Sequence, residues 1–129
     1  MEFPGNLRYT KSHEWVRLDG DEAVVGITDY AQSEMGDVVY LELPEKGRFV
    51  QAGETFGTVE SVKTVSDAYA PVSGEVVDVN SELNSKSELV NSEPYAGGWL
   101  LRIRMSKPDE VAGLLDAAAY EAHTKEEQH

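Results

Sequence analysis

The sequence contains no cysteine in 129 residues. Disulfides, thiolate nucleophiles and cysteine-based zinc or iron-sulfur sites are therefore excluded, and any sulfur chemistry must arrive with a bound group. The chain also lacks an apolar run near the roughly 20 residues that a membrane-spanning helix needs. Its first residues have neither a signal-peptide nor a transit-peptide pattern, which predicts a cytoplasmic protein of bacterial type; a mature mitochondrial matrix form would look the same.

Basic residues are few. The chain has 11 Lys and Arg against 24 Asp and Glu, a net charge of −13 at pH 7. Because such a field repels phosphate backbones and anionic lipid heads, we expect neither a nucleic-acid nor a membrane partner. Two uses of the acidity stay open, namely solubility and steering toward basic partner surfaces.

Length and composition predict one globular domain over residues 1–129. A charged fraction of 27% and a hydrophobic fraction of 40% are ordinary for a soluble domain of this length. No long apolar surface stripe is evident, so we expect a monomer.

Most of the chain consists of short apolar segments separated by turns, which predicts about eight β-strands in a small barrel or sandwich. A short helix is predicted near residue 30, capped by Thr28 or Asp29 and stopped by Gly36. The strands are expected at residues 15–18, 23–27, 37–43, 49–50, 55–59, 64–70, 74–79 and 99–105.

A second helix is predicted over residues 108–123. It begins at Pro108 with acids in its first turn, where the helix dipole favours negative charge. From Tyr120 onward the chain is polar, and we expect it to fray. The apolar stripe of this helix is formed by Val111, Leu114, Leu115 and Ala118.

Two stretches share one pattern. The sequence G-D-V-V-Y-L begins at Gly36, and G-E-V-V-D-V begins 38 residues later at Gly74. Phe49-Val50 and Leu89-Val90 follow the two glycines at similar distances. The match is either chance or a two-fold structural repeat, and Lys63 lies between its copies.

Few residues suggest catalysis or metal binding. His13-Glu14 could open a zinc-binding H-E-x-x-H motif, but Arg17 stands in place of the second histidine. His123 and His129 lie in the polar tail, where we expect solvated side chains. The glycines form no phosphate-binding pattern. The spacing therefore predicts no catalytic site and no metal site.

Lys63 lies at the centre of Val59–Asp67, V-E-S-V-K-T-V-S-D. Strand-like segments precede and follow it, so the pattern predicts a hairpin over residues 59–67 with the lysine at its tip. From the residues alone, Lys63 is a solvated surface lysine, an attachment point, or an activated amine. The last of these requires desolvation and a lowered pKa.

The segment from Gly57 to Gly74 resembles the lipoyl-attachment hairpin of the glycine cleavage system H protein family. Thr64 follows the lysine where the family more often has alanine, which puts little in doubt. The D-K-A pattern of other lipoyl domains and the M-K-M pattern of biotin domains are absent. Five further stretches resemble the same family in order along the chain: S-H-E-W-V from Ser12, G-I-T-D-Y-A-Q from Gly26, G-D-V-V-Y-L-E-L-P from Gly36, G-G-W-L-L-R-I from Gly97 and L-L-D-A-A-A-Y from Leu114.

This resemblance implies a mainly β fold, a flattened barrel-sandwich hybrid of the lipoyl/biotinyl-domain type with short helices near residue 30 and at the C-terminus. It implies lipoate bound covalently to Lys63 of a carrier without catalytic turnover. The carrier would move the aminomethyl group of glycine from a pyridoxal-phosphate glycine decarboxylase (P protein) to a tetrahydrofolate-dependent aminomethyltransferase (T protein). Dihydrolipoamide dehydrogenase (L protein) and a lipoylating enzyme are the other implied partners.

Several residues in the matching stretches receive roles from the resemblance. Glu14 and Asp67, with Ser12, are candidates for a cleft that holds the cationic amine of the loaded arm. Glu60 and Ser61 are assigned to recognition by the lipoylating enzyme and to hairpin geometry. Alternative functions are a relay that donates lipoate to other proteins, a lipoyl domain of another complex, a small enzyme acting through a Lys63 Schiff base, or an acidic structural scaffold.

Overall fold

The computed structural model describes residues 1–127, which form two antiparallel sheets. The larger sheet has six strands in the order β1-β2-β3-β9-β8-β5, and the smaller has three in the order β4-β6-β7. The strands are β1 Arg8–Tyr9, β2 Glu14–Asp19, β3 Glu22–Ile27, β4 Val38–Glu42, β5 Phe49–Val50, β6 Thr55–Ser61, β7 Val65–Tyr69, β8 Gly74–Val79 and β9 Leu101–Met105.

Helices are short and lie outside the sheets. They are α1 Asp29–Met35, α2 Leu89–Ser92 and α3 Ala117–Glu127, with 3-10 turns at Ser81–Asn84 and Pro108–Gly113. No helix within residues 1–127 has both the length and the apolar character needed to span a membrane. The predicted strands are all present, and the two-residue strand β1 is the addition, since it is too short to carry a periodic pattern.

The main core lies between the two sheets. Val25 and Ile103 of the larger sheet and Phe56 and Val59 of the smaller one belong to a single cluster of buried side chains. A second cluster contains Tyr9, Trp15 and Tyr120, and the Tyr9 and Tyr120 rings stack with their centroids 4.7 Å apart. The second cluster attaches α3 to the larger sheet.

Helix α1 follows its predicted boundaries. The Thr28 hydroxyl accepts a hydrogen bond from the Ala31 amide at 3.1 Å, which caps the helix. Gly36 ends it with φ of 81°, a left-handed conformation that glycine adopts without a steric penalty.

The predicted helix over residues 108–123 is wrong as a single element. A 3-10 turn ends at Gly113, and Leu115 then forms two backbone hydrogen bonds of 2.8 Å with Tyr9 in an isolated β-bridge. Helix α3 begins after Asp116, whose carboxylate accepts a hydrogen bond from the Ala119 amide at 2.8 Å. Pairing with β1 thus replaces the helical bonds that the apolar stripe predicted.

The expected fraying from Tyr120 is also wrong. Tyr120 is fully buried, and α3 continues to Glu127 because its inner face packs against the second cluster. His123, expected in solvent, is only partly exposed and lies beside Glu127. His129 lies outside the described residues.

The repeated pattern has a structural counterpart. The pairing of β4 with β6 shifts register between Val38 and Tyr40, and the pairing of β8 with β9 shifts between Val76 and Asp78. The irregularity therefore falls at the same position in both copies. The following segments differ, because the first copy continues into strand β5 whereas Leu89-Val90 begins helix α2.

Candidate functional site

Lys63 lies in the turn between β6 and β7, and its side chain is exposed. The Ser61 hydroxyl accepts hydrogen bonds from the Lys63 and Thr64 amides at 3.3 and 3.2 Å, and the Ser61 amide donates to the Thr64 carbonyl at 2.8 Å. The neighbouring Val62 amide donates to the Asp37 carbonyl at 3.0 Å. The turn is therefore fixed by a buried serine while the lysine amine stays accessible.

The lysine side chain extends along the end of helix α1. A β-carbon built on Gly36 would come within 3.5 Å of Lys63 Cε. Met35, the preceding residue, is buried and lines a cavity on this side of the molecule. The far end of the Lys63 side chain thus lies next to Gly36, the residue that follows Met35 of the cavity lining.

This cavity has a volume of about 460 Å³. Its apolar wall comes from both sheets and from α1. Its polar groups lie on α1, β7 and α3, at the start of β2 and in the turn that precedes β2. The lining includes Ser12, Glu14, Tyr30, Met35, Val59 and Asp67.

Glu14 is the buried acid of the cavity, with only 1% of its surface exposed. One carboxylate oxygen accepts hydrogen bonds from the Thr10 and Ser12 hydroxyls at 2.6 and 2.5 Å, and the other accepts one from the Tyr69 amide at 3.1 Å. Burial raises the pKa of Glu14, and these three donors act in the opposite direction. The carboxylate is therefore preorganised as a hydrogen-bond acceptor.

Asp67 lies on β7 four residues after Lys63, and its side chain is exposed at the cavity. Ser12 is an exposed residue of the cavity lining, and its hydroxyl donates a hydrogen bond to Glu14. The structure therefore brings Ser12, Glu14 and Asp67 to one cavity. Their predicted role toward a cationic amine stays a prediction.

The remaining predicted residues lie outside the cavity lining. Glu60 is exposed on β6, opposite Val65 in the hairpin register, and Ser61 is buried under the turn. The contacts of Ser61 agree with an effect on hairpin geometry. Recognition of either residue by a lipoylating enzyme stays a prediction.

Four titratable residues of the cavity lining were not assigned to it from the sequence. Tyr30 and Glu34 come from α1, His13 comes from the turn before β2, and Glu127 comes from the end of α3. The carboxylate oxygen Oε2 of Glu127 lies 2.8 Å from His13 Nε2. No local pattern indicates this pair, because its partners come from opposite ends of the chain.

Comparison with known proteins gives one consistent family. The model of the family described as "Glycine cleavage H-protein" matches residues 7–127. A glycine cleavage system H protein of Symbiobacterium thermophilum is 56% identical over 123 residues, covering 95% of this chain and 96% of the relative. The Rubrobacter xylanophilus protein of the same name is 57% identical over 127 residues, with 98% of each chain covered.

A solved structure has the same fold. The crystal structure of a glycine cleavage system H protein from Mycobacterium marinum aligns with a TM-score of 0.87 at 40% identity. The alignment covers 95% of this chain and 98% of the other. The predicted fold class, a mainly β barrel-sandwich hybrid with short helices, is thereby confirmed.

Proposed function

This chain belongs to the glycine cleavage H-protein family, and on that basis we propose that it is the lipoyl carrier of the glycine cleavage system, with lipoate attached to Lys63. In this function it carries the aminomethyl group of glycine from the decarboxylase to the aminomethyltransferase, and it has no catalytic turnover of its own. The whole of residues 1–129 acts as one carrier domain.

The observation that carries the proposal is the position of an exposed lysine beside an acidic cavity. Lys63 protrudes from a hairpin whose second strand carries Asp67 into the cavity, and Glu14 lies buried in the same cavity. An arm attached at the tip of this hairpin has a fixed origin and a place to rest. An amine at its end would meet two carboxylates.

The residues present fit lipoate as the attached group. The primary amine of Lys63 is accessible for an amide bond, and the cavity offers apolar surface from Ile27, Met35 and Val59 next to its carboxylates. Bound lipoate would supply a dithiol–disulfide couple able to carry a one-carbon amine. The protein itself supplies no sulfur nucleophile, since it contains no cysteine.

The residues of the cavity hold the amine by charge and hydrogen bonding. An ionised carboxylate makes a stronger hydrogen bond to an ammonium group than a neutral acceptor does. Glu14 is held in place by Thr10, Ser12 and the Tyr69 amide, so little side-chain entropy is lost when it accepts a further donor. Asp67 adds a second, more exposed carboxylate.

The hairpin keeps the arm available to several partners. The decarboxylase, the aminomethyltransferase, dihydrolipoamide dehydrogenase and the lipoylating enzyme must each reach the same tip. A flexible tether raises the effective concentration of its end at each partner site, whereas a fixed turn defines where the tether begins. Ser61 supports the turn, and the exposed Glu60 lies on the approach to it.

Intact-mass measurement tests the attachment site. Protein produced in a lipoylation-competent host with added lipoate is expected to gain the mass of one lipoyl amide. The Lys63→Arg variant is expected to gain none, whereas Lys86→Arg, a change at another exposed lysine, is modified like the parent. An unmodified parent chain, or a modified Lys63→Arg chain, would contradict the proposal.

Reconstitution tests the carrier function. With the decarboxylase, the lipoylated chain is expected to support glycine-dependent exchange of bicarbonate into glycine, and Lys63→Arg to abolish it. A lipoylated chain that supports no exchange but donates lipoate to other proteins would instead be a relay protein.

Release of the bound amine tests the cavity residues. In the loaded protein, Glu14→Gln and Asp67→Asn are each expected to speed loss of the one-carbon amine without preventing lipoylation. Glu42→Gln is the matched control, because it removes an exposed carboxylate of β4 that does not line this cavity. Equal release rates in all four proteins would eliminate the proposed role of the two carboxylates.

A further inference from the structure

A second group of polar side chains lies at the rim of the cavity and consists of His13, His123 and Glu127. One ligand atom of each lies within 4.8 Å of the ligand atoms of the other two. Two imidazoles and one carboxylate are a donor set with which proteins bind Zn²⁺ and leave a fourth position open. We propose that these three residues form a Zn²⁺-binding site.

Glu127 already contacts both imidazoles through hydrogen bonds, and the protons of these bonds lie between the donor atoms, where a cation would bind. Glu127 Oε2 is 2.8 Å from His13 Nε2, and Glu127 Oε1 is 3.1 Å from His123 Nε2. A carboxylate approaches an imidazole nitrogen this closely when the nitrogen carries a proton. Zn²⁺ would replace these protons, and bonds of about 2.0–2.2 Å would draw the donors to a spacing of about 3.3 Å.

His13 is oriented through its other ring nitrogen, Nδ1, while its Nε2 faces Glu127. Its Nδ1 shares a hydrogen bond of 2.7 Å with the Tyr120 hydroxyl, which is itself 2.6 Å from the Thr28 hydroxyl. Metal-ligating histidines are commonly oriented by such a bond to the other ring nitrogen.

The backbone of His13 is strained. Its φ is 77°, which makes it the only non-glycine residue with positive φ among residues 1–127. This conformation is uncommon for a residue with a side chain, and such outliers cluster at functional sites. The imidazole of this residue contacts Glu127 of α3.

The other two donors come from α3. His123 and Glu127 are four residues apart, so they project from the same face of the helix. His123 Nε2 also lies 3.0 Å from the Lys11 carbonyl, and metal binding must break that hydrogen bond. The site would therefore join the turn before β2 to the C-terminal part of α3.

The donor set selects among cations. Ca²⁺ and Mg²⁺ prefer sites made wholly of oxygen ligands, whereas imidazole nitrogen suits Zn²⁺ and Co²⁺. The net charge of −13 raises the local concentration of any cation. Selectivity for Zn²⁺ over Ca²⁺ thus distinguishes a built site from general attraction.

Titration calorimetry on the metal-free protein tests the site. All proteins carry His129→Gln, so that the third histidine of the sequence contributes no ligand. We expect one Zn²⁺ per chain, no saturable Ca²⁺ binding, and a d–d absorption band when Co²⁺ is added. His123→Gln and Glu127→Gln are each expected to weaken Zn²⁺ binding at least about tenfold, whereas the charge-matched control Glu126→Gln binds like the parent.

Circular dichroism in the presence of a chelator shows whether each variant is folded. Glu127→Gln changes an exposed residue at the end of α3, so it tests the site even if His123→Gln fails to fold. Zinc should also raise the unfolding temperature of the parent and not that of Glu127→Gln. Absence of saturation at one ion per chain, or unchanged binding in Glu127→Gln, would mean that the three residues form a hydrogen-bonded cluster only.

Discussion

The carboxylate of Glu14 accepts a hydrogen bond of 3.1 Å from the backbone amide of Tyr69, 55 residues away in the sequence. Glu14 begins β2 of the larger sheet, and Tyr69 ends β7 of the smaller one. The acid that faces the cavity is therefore also a connection between the two sheets. Its contribution to stability and its proposed role toward a cationic amine can be separated by experiment.

Substitution of Glu14 by alanine or by glutamine separates the effect of its hydrogen bonds on stability from the effect of its charge. Alanine leaves the Tyr69 amide and the Thr10 and Ser12 hydroxyls without their acceptor, and we expect a loss of about 1–3 kcal/mol in the free energy of unfolding. Glutamine keeps an acceptor for the amide and removes a buried charge, so we expect parental stability or better. Urea unfolding measures both. A glutamine variant as unstable as the alanine variant would contradict this division.

The pH dependence of stability reports the buried charge directly. Burial raises the pKa of Glu14 in the folded state above its ordinary value of 4.5. At pH values between 4.5 and this raised pKa, the folded state therefore holds a proton that the unfolded state lacks. Stability gained from this group therefore increases as pH falls through that window. We expect the stability advantage of Glu14→Gln over the parent to be largest at neutral pH and to shrink toward pH 4.5. An advantage that grows on acidification would show that the pKa is lowered instead.

Much of the fold could be predicted because its signals are local. A few neighbouring residues, namely β-branched runs and turn residues, are enough to predict each of these elements. They include the turn at Gly36, the hairpin around Lys63 and the strands between them. The resemblance added Ser12, Glu14 and Asp67 as one group, and the cavity contains all three.

The C-terminal region could not be predicted in the same way. Leu114 and Leu115 have helical spacing, but two backbone bonds to Tyr9 hold Leu115 extended. His13 contacts Glu127 because Tyr120 is buried in the second cluster and so holds α3 against the larger sheet. The long-range pairing of Leu115 with Tyr9 thus overrode a local helical pattern. The periodicity of a sequence does not indicate contacts between residues so far apart in the chain.

Ser61 is expected to control the order of the hairpin tip. Its buried hydroxyl accepts hydrogen bonds from the Lys63 and Thr64 amides, so Ser61→Ala should speed hydrogen exchange at these two amides and cost about 1 kcal/mol. Exchange followed by NMR measures the effect, and lipoylation of the variant should also be slower. Ser92→Ala, at an exposed serine of α2, is the control. Unchanged exchange at Lys63 would show that the backbone alone fixes the turn.

Asp116 is expected to set the start of α3. Its carboxylate accepts the hydrogen bond from the Ala119 amide, and loss of such a cap costs about 1 kcal/mol. Asp116→Ala should therefore lower the unfolding temperature, whereas Asp116→Asn, which retains a capping oxygen, should largely restore it. Thermal unfolding followed by circular dichroism compares the two. Equal losses in both variants would assign the effect to charge and not to capping.

Gly26 is expected to be essential for the packing of Trp15. The two residues are cross-strand partners in β3 and β2, and a β-carbon on Gly26 would lie 2.6 Å from three atoms of the indole ring. The ring cannot retreat freely, because its Nε1 donates a hydrogen bond of 2.9 Å to the Pro94 carbonyl. Gly26→Ala should therefore cost about 1–3 kcal/mol through overpacking, measured by urea unfolding. Gly5→Ala, where an added β-carbon meets nothing within 4 Å, is the matched control and should leave stability nearly unchanged. Equal stability of the two variants would mean that β2 and β3 separate at little cost.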